Sequence, residues 1–298
     1  MNDLSEMPKP TLVYIFSAGH SGSTLLSSMI GRHELAFNAG EIGYLPRFMA
    51  FRDGERTLCS CGAIGVLKCP FWSRVDAKLR EDSGRSLHDL QVGLSEGNTA
   101  DDRLLFQTIA EVAGVSVIVD TSKNYRRLQR LMKDPAIRIL LVILIADPRK
   151  IVHSMHGRIS AVKYALRLNR LGLRMRKAHR LARGRGLEPV VVRYDEFAEN
   201  PARSLEKILG RVGLNSHEGM LDWGGDGRHD LGGNPMKFGR TSEIRKDERW
   251  RTAMSAPVQA TVLALSPIFQ LVSKWLAWRE QALDRRESAK LQRLKDAA

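Results

Sequence analysis

The chain has 298 residues, 43% of them hydrophobic and 27% charged, which excludes a disordered or fibrous class and leaves a folded enzyme or binding domain. Its net charge of +14 points to an anionic partner, which charge alone does not resolve into nucleotide, glycan, nucleic acid or acidic lipid. Three cysteines, all between Cys59 and Cys69, cannot build a disulfide framework and fit a reducing compartment.

The first residues, Met1 to Glu6, carry acids and lack the basic-then-apolar order of a secretory leader, so residues 1–10 read as an N-terminal extension and a cytoplasmic location is expected. Residues 11–17 form an apolar, β-branched run that predicts a strand. It ends in a Gly-His-Ser-Gly turn, after which residues 23–30 have helical character. A second short strand is expected at 36–41, and residues 52–72, rich in Gly, Cys and Pro, read as a loop.

The spacing of Leu104, Leu105, Ile109 and Val112 predicts a helix over 101–113, followed by a strand at 115–119 and a basic helix at 125–133. Residues 137–145 are the most apolar strand, and the run to Ala146 is about half the length of a membrane-spanning helix. Asp147 and Pro148 sit where an N-cap and first helical residue belong, as do Asn200 and Pro201, with a strand at 189–193 between those two starts. Residues 158–183 read as a long helix with Ile159, Val162, Leu166, Leu173 and Leu181 facing inward. A glycine-rich loop spans 224–239, and a helix over 258–283 breaks near Pro267 before a charged, frayed tail.

Strands alternating with helices at these lengths predict an α/β fold, a single domain over residues 11–256 with a central, mainly parallel sheet flanked by helices in a P-loop-like arrangement. Residues 257–298 form a C-terminal helical segment and basic tail.

The turn Gly19-His-Ser-Gly-Ser-Thr24 lies between strand and helix, where free amides and the helix dipole favour a bound phosphate. Ser23 and Thr24 add hydroxyl donors. A Walker-type loop needs G-x-x-x-x-G-K-[ST], and neither that glycine spacing nor the lysine is present, which disfavours a nucleoside triphosphate. The same turn also reads as a simple helix cap.

Several motifs then follow in one order: His20-Ser-Gly-Ser-Thr-Leu-Leu26, Ala39-Gly-Glu-Ile42, the cysteines with Cys69-Pro-Phe-Trp72, Asp120-Thr-Ser-Lys123, Asp147-Pro-Arg149 with Ser154, Tyr194-Asp-Glu-Phe197 and Gly233-Asn-Pro-Met-Lys237. Their order and content resemble the sulfotransferases that use 3'-phosphoadenosine 5'-phosphosulfate (PAPS), especially the bacterial members. The resemblance implies in-line transfer of a sulfuryl group from PAPS to a hydroxyl acceptor, with no metal.

It also implies site residues. His20, Ser21, Gly22, Ser23, Thr24 and Leu25 would cradle the phosphosulfate. His20, where the family usually has Lys or Arg, would stabilise the leaving oxygen. Glu41 would be the general base, with Asp120 in reserve. Ser154 and Arg149 would hold the 3'-phosphate, Lys237 and Arg240 would close over the nucleotide, and Lys123 would touch the sulfuryl group or the acceptor. One departure stands out: the family's arginine before Asp147 is Ala146 here.

The alternatives are a P-loop kinase of small molecules and a catalytically silent nucleotide-binding protein. No nucleic-acid partner is expected, because the basic stretch lacks interleaved aromatics and a recognition module. That stretch, between Arg158 and Arg185, holds eight Arg and two Lys with no acid. It reads as a solvated face, an acceptor groove, or a contact with a membrane surface or an anionic glycan. The acceptor's class and the oligomeric state stay open. Cys59, Cys61 and Cys69 form C-x-C-x7-C with no fourth close ligand, so free thiols are expected there. Trp72, Trp223 and Trp250 are expected to be packing anchors.

Overall fold

The computed structural model describes residues 9–51, 59–155, 160–224, 227–239, 244 and 246–296. Strand β1 (Thr11–Ser17) runs into helix α1 (Ser23–Ile30) and β2 (Ala36–Gly40). Helices α2 (Leu45–Met49), α3 (Pro70–Ser83) and α4 (Thr99–Ala113) lead to β3 (Val117–Asp120). After α5 (Tyr125–Lys133) come β4 (Arg138–Ile145), α6 (Pro148–Ser154), the long α7 (Ala161–Gly184) and β5 (Val190–Arg193). Helices α8 (Tyr194–Glu199), α9 (Pro201–Gly210), α10 (Arg249–Ala253), α11 (Ala256–Leu265) and α12 (Pro267–Asp296) complete the order.

The strands pair in parallel in the order β2-β3-β1-β4-β5, the α/β architecture that the sequence predicts. Because successive side chains alternate across a strand, β1 sends Tyr14 and Phe16 into one core and Val13 and Ile15 into the other. In β4, Leu141 and Ile143 face the first core and Leu140 and Val142 the second, which is why its sequence reads as an unbroken apolar run. From β1 the chain goes one way for β2 and β3 and the other way for β4 and β5. That reversal opens a crevice at the carboxyl ends of the strands.

The two proline-marked helix starts form as read. The Asp147 side chain accepts from the Arg149 amide at 2.8 Å, and the Asn200 side chain from the Arg203 amide at 3.1 Å. Helix α7 departs from its expected phase. Val162, Leu166 and Leu173 are exposed and Leu181 is half-buried, while Ala165, Leu168, Gly172, Met175, Ala178 and Ala182 face inward; Ile159 lies outside the described residues. Small residues win that face because α12 packs on it closely, and a Cβ on Gly172 would stand 2.9 Å from the Phe269 Cα. Arg167, Arg170 and Arg174 point to solvent.

The tail also differs from its expectation, since α12 stays helical to Asp296. Lys207 reaches Glu280 at 2.6 Å and Asp284 at 2.5 Å, Arg211 reaches Glu287 at 2.7 Å, and Phe269, Val272 and Leu276 join the core of the sheet domain. Among the described residues no single helix is long and apolar enough to cross a membrane.

Candidate active site

Each strand delivers a polar side chain just beyond its carboxyl end, and these converge on a cleft of about 1040 Å³. After β1 the backbone turns through His20 (φ 64°) and Gly22 (φ 96°), both left-handed. The turn presents the start of α1 to the cleft, and no side chain caps that helix at Gly22. A Cβ on Gly22 would sit 2.6 Å from Tyr194 Cδ2, so the position requires glycine for both space and conformation. Ser21 is fully buried behind the turn, where its hydroxyl donates to the Ala18 carbonyl at 2.9 Å. His20, Gly22, Ser23, Thr24 and Leu25 line the cleft.

Past β2 and β3, Glu41 and Lys123 meet at the cleft, with Lys123 Nζ donating to Glu41 Oε1 at 2.5 Å. Lys123 holds a left-handed backbone (φ 56°). Buried polar groups fix this arrangement. Asp120 Oδ1 accepts from the Ser122 amide at 2.7 Å and its hydroxyl at 2.5 Å, Ser122 Oγ accepts from the Gly43 amide at 2.7 Å, and Arg127 Nε donates to Asp120 Oδ2 at 3.1 Å. Arg127 also bonds Asp102 and the Val92 carbonyl, both at 2.6 Å. Asp120, the reserve base of the sequence reading, is therefore a fully buried structural acceptor whose oxygens already have partners. It positions the turn that carries Lys123.

Beyond β4 the helix face decides which cation reaches the cleft. Arg149, expected at the 3'-phosphate, does not line the cleft; it pairs with Asp147 at 2.7 Å and stacks over the Trp250 ring at 4.2 Å. Lys150 takes the inward position. Its ammonium donates to the His20 carbonyl at 3.1 Å, lies 3.6 Å from the centre of the Tyr194 ring, and is pulled down to about 8 by burial. Four residues on, Ser154 shares that face and lines the cleft with His153. The serine spacing was thus a usable signal for Lys150, which the sequence reading missed. Arg249, also missed, lines the cleft beside Asp247, close enough to Lys150 for the two charges to interact. Ala146 is half-buried at the end of β4.

The late loop forms the roof. Leu231 pairs with Gly40, and the Glu41 amide donates to the Leu231 carbonyl at 2.8 Å. The Asn234 amide donates to Thr24 Oγ1 at 3.2 Å, and its side-chain nitrogen lies 3.5 Å from His20 Nδ1. Lys237, expected over the nucleotide, is buried away from the cleft, where its ammonium bonds the Asp230 carbonyl at 2.8 Å and lies 3.3 Å from the Asp230 carboxylate. Arg240 lies outside the described residues. Trp72 and Trp250 are buried anchors. Trp223 is buried too but forms part of the cleft wall, and its indole N–H has no hydrogen-bond partner among the described residues.

The three cysteines lie under that roof. Their sulfurs stand 3.3 to 3.6 Å apart, and His229, from the late loop, puts Nδ1 at 3.2 Å from Cys69 Sγ. The fourth partner that the local spacing lacks arrives from 160 residues away.

By sequence, the chain matches no family model and no curated protein. By structure it is similar to the sulfotransferase domain from the curacin biosynthetic pathway, with a TM-score of 0.53, 16% identity, and coverage of 86% of this chain and 96% of that one. It is also similar to the sulfotransferase domain of the Synechococcus PCC 7002 olefin synthase, with a TM-score of 0.52, 17% identity, and coverage of 89% and 96%. The chain has the α/β fold of these sulfotransferase domains.

Proposed function

We propose that the chain is a sulfotransferase that moves a sulfuryl group from PAPS to a hydroxyl acceptor. The observation that carries this reading is the convergence, in one cleft, of an anion cradle at the start of α1 with the Glu41–Lys123 pair. The first suits a phosphosulfate, and the second supplies a base and a cation for the reacting centre. The indole N–H of Trp223, without a partner among the described residues, and the cations Lys150 and Arg249 suit a multiply charged nucleotide in the same space.

In this reading the acceptor oxygen attacks sulfur in line with the departing phosphate oxygen. Its proton passes to Glu41, the new O–S bond forms, and the bond from sulfur to the phosphate oxygen breaks to release adenosine 3',5'-bisphosphate. Negative charge grows on the bridging oxygen, where the turn amides, the His20 imidazole and the Lys150 ammonium stabilise it. Lys123 leaves Glu41 for the sulfuryl oxygens, which frees the carboxylate for the proton. Ser154 holds the 3'-phosphate. A kinase reading is weaker because the turn has no Walker lysine and its glycine spacing is short.

Thermal melting with PAPS, adenosine 3',5'-bisphosphate, ATP and GTP in parallel tests the nucleotide class, since a ligand selective for the native state raises apparent stability. Selective stabilisation by PAPS and the bisphosphate is expected. Selective stabilisation by ATP would replace this reading with a kinase.

A further inference from the structure

Cys59 and Cys69 are fully buried, Cys61 is exposed and His229 is half-buried, yet one ligand atom from each falls within 4.8 Å of all the others. Around a single zinc ion with bonds of about 2.3 Å to sulfur and about 2.0 Å to nitrogen, tetrahedral geometry puts the sulfurs about 3.8 Å apart and sulfur to nitrogen about 3.5 Å apart. The three sulfur separations, 3.3 to 3.6 Å, and the 3.2 Å from Cys69 Sγ to His229 Nδ1 are within a few tenths of an ångström of those values, and the ligand atoms all lie within 4.8 Å of one another. A disulfide needs about 2.05 Å between sulfurs and would use only two of the three thiols.

Backbone amides reach all three sulfurs. The Cys59 sulfur takes a hydrogen bond from the Cys61 backbone, the Cys61 sulfur from that of Ala63, and the Cys69 sulfur from those of Phe71 and Trp72. Cys69 is also the N-cap of α3, where the helix dipole favours negative charge. The His229 ring is held in place, stacked on Phe71 with centroids 5.5 Å apart, and its carbonyl accepts from the Trp72 indole at 2.7 Å. Supporting contacts of this kind orient metal ligands.

We infer that Cys59, Cys61, Cys69 and His229 bind one structural zinc ion that fastens the late loop to the sheet edge. Soft thiolates with one imidazole in a closed tetrahedron select zinc over the hard cations, and binding releases the thiol protons to solvent. The ion's place explains its use. Two residues beyond His229, Leu231 bridges both Cys59 and Gly40, and three residues further Asn234 bonds the cradle at Thr24. The metal thus stands outside the chemistry and holds the roof over it. This inference does not depend on which group the cleft transfers.

The test is element analysis of the full chain, purified without chelator from zinc-supplemented cells, joined to the visible spectrum of the cobalt-substituted protein. About one zinc per chain and the d–d bands of tetrahedral cobalt thiolate are expected. Cys61→Ser and His229→Ala should each lose zinc to well below stoichiometry, while His229→Cys retains it. Cys61 is exposed, so its replacement leaves the core packing intact. Removing zinc from the native chain with a strong chelator should lower its melting temperature. A folded chain isolated without zinc would overturn the inference, as would a disulfide among these cysteines in freshly lysed cells. So would zinc that survives both Cys61→Ser and His229→Ala, or zinc that departs with no change in melting.

Discussion

Lys123 Nζ bonds Glu41 Oε1 at 2.5 Å across segments 82 residues apart, so the carboxylate proposed as the base starts out paired with a cation. The pair keeps Glu41 oriented toward the cleft and makes its release depend on a new anion for Lys123 to touch. In the proposed reaction a sulfuryl group would supply that anion, so that donor binding would free the carboxylate to act as the base.

Glu41→Gln should lower turnover by about two to four decades while leaving the affinity for adenosine 3',5'-bisphosphate nearly intact. Lys123→Met should cost about two to three decades, the range for losing a group that stabilises developing charge. Single-turnover kinetics with a calorimetric titration of each variant checks both. Full activity in Glu41→Gln would remove it from the chemistry, and Asp120 could not replace it because its oxygens are committed to Ser122 and Arg127.

Gly22→Val should abolish bisphosphate binding. The new side chain meets the Tyr194 ring at 2.6 Å and must adopt a φ of 96°, a conformation that costs about 1–3 kcal/mol for other residues. Circular dichroism should show a folded chain with a lower melting temperature, and calorimetry should show no heat of binding. Unchanged affinity would take the turn out of the site.

Lys150 gives the cleft a pH signature. Its pKa of about 8 lies below the ordinary 10.5 because burial disfavours the ammonium; Asp247 and Asp195 oppose that effect, and Arg249 adds to it. Bisphosphate affinity should therefore fall as the pH rises through that value, and Lys150→Met should bind weakly with a flat profile over the same interval. Stability should move the other way. Between the folded and unfolded values the unfolded chain holds the extra proton, so stability rises with pH across that window and is lost as the pH falls through about 8. Titrations of both proteins on either side of that value decide the matter, and parallel slopes would assign the effect to another group.

Ala146→Arg should tighten bisphosphate binding by about 1.5 to 3 kcal/mol, the worth of a hydrogen bond to a charged group, with little effect on adenosine 5'-monophosphate. The native chain should discriminate weakly between the two nucleotides. Strong discrimination already present, with nothing gained from the arginine, would mean that Lys150 or Arg249 holds the 3'-phosphate.

What the sequence made legible was local. The alternation of strands and helices, the two proline-marked helix starts and the Gly22 turn depend on residues close in the chain, and all of them form. Arg149 and Lys150 show the limit. Neighbours on a helix point about 100° apart, so choosing between them needs the orientation of α6, which the spacing to Ser154 encodes and charge alone does not. The inner face of α7 does not follow its largest apolar residues, because close approach to Phe269 selects Gly172, on a face shared with Ala165, Leu168, Met175, Ala178 and Ala182. Lys237 has the right charge in the right loop, yet Asp230 holds it elsewhere. His229 was out of reach for pattern reading, since nothing near Cys69 in the sequence announces it.

The pairing of Leu231 with Gly40 and Cys59 also sets the order in which a ribosome can deliver a finished protein. The cradle is made before its roof, since Thr24 precedes its partner Asn234 by 210 residues. Until residues 231–234 have been synthesised, the β2 edge and the Thr24 hydroxyl lack the partners they have in the finished chain. Such long-range closure is slow relative to local helix formation. A nascent chain stalled before Leu231 would thus display the cradle with its mouth open, unable to exclude water from whatever it held.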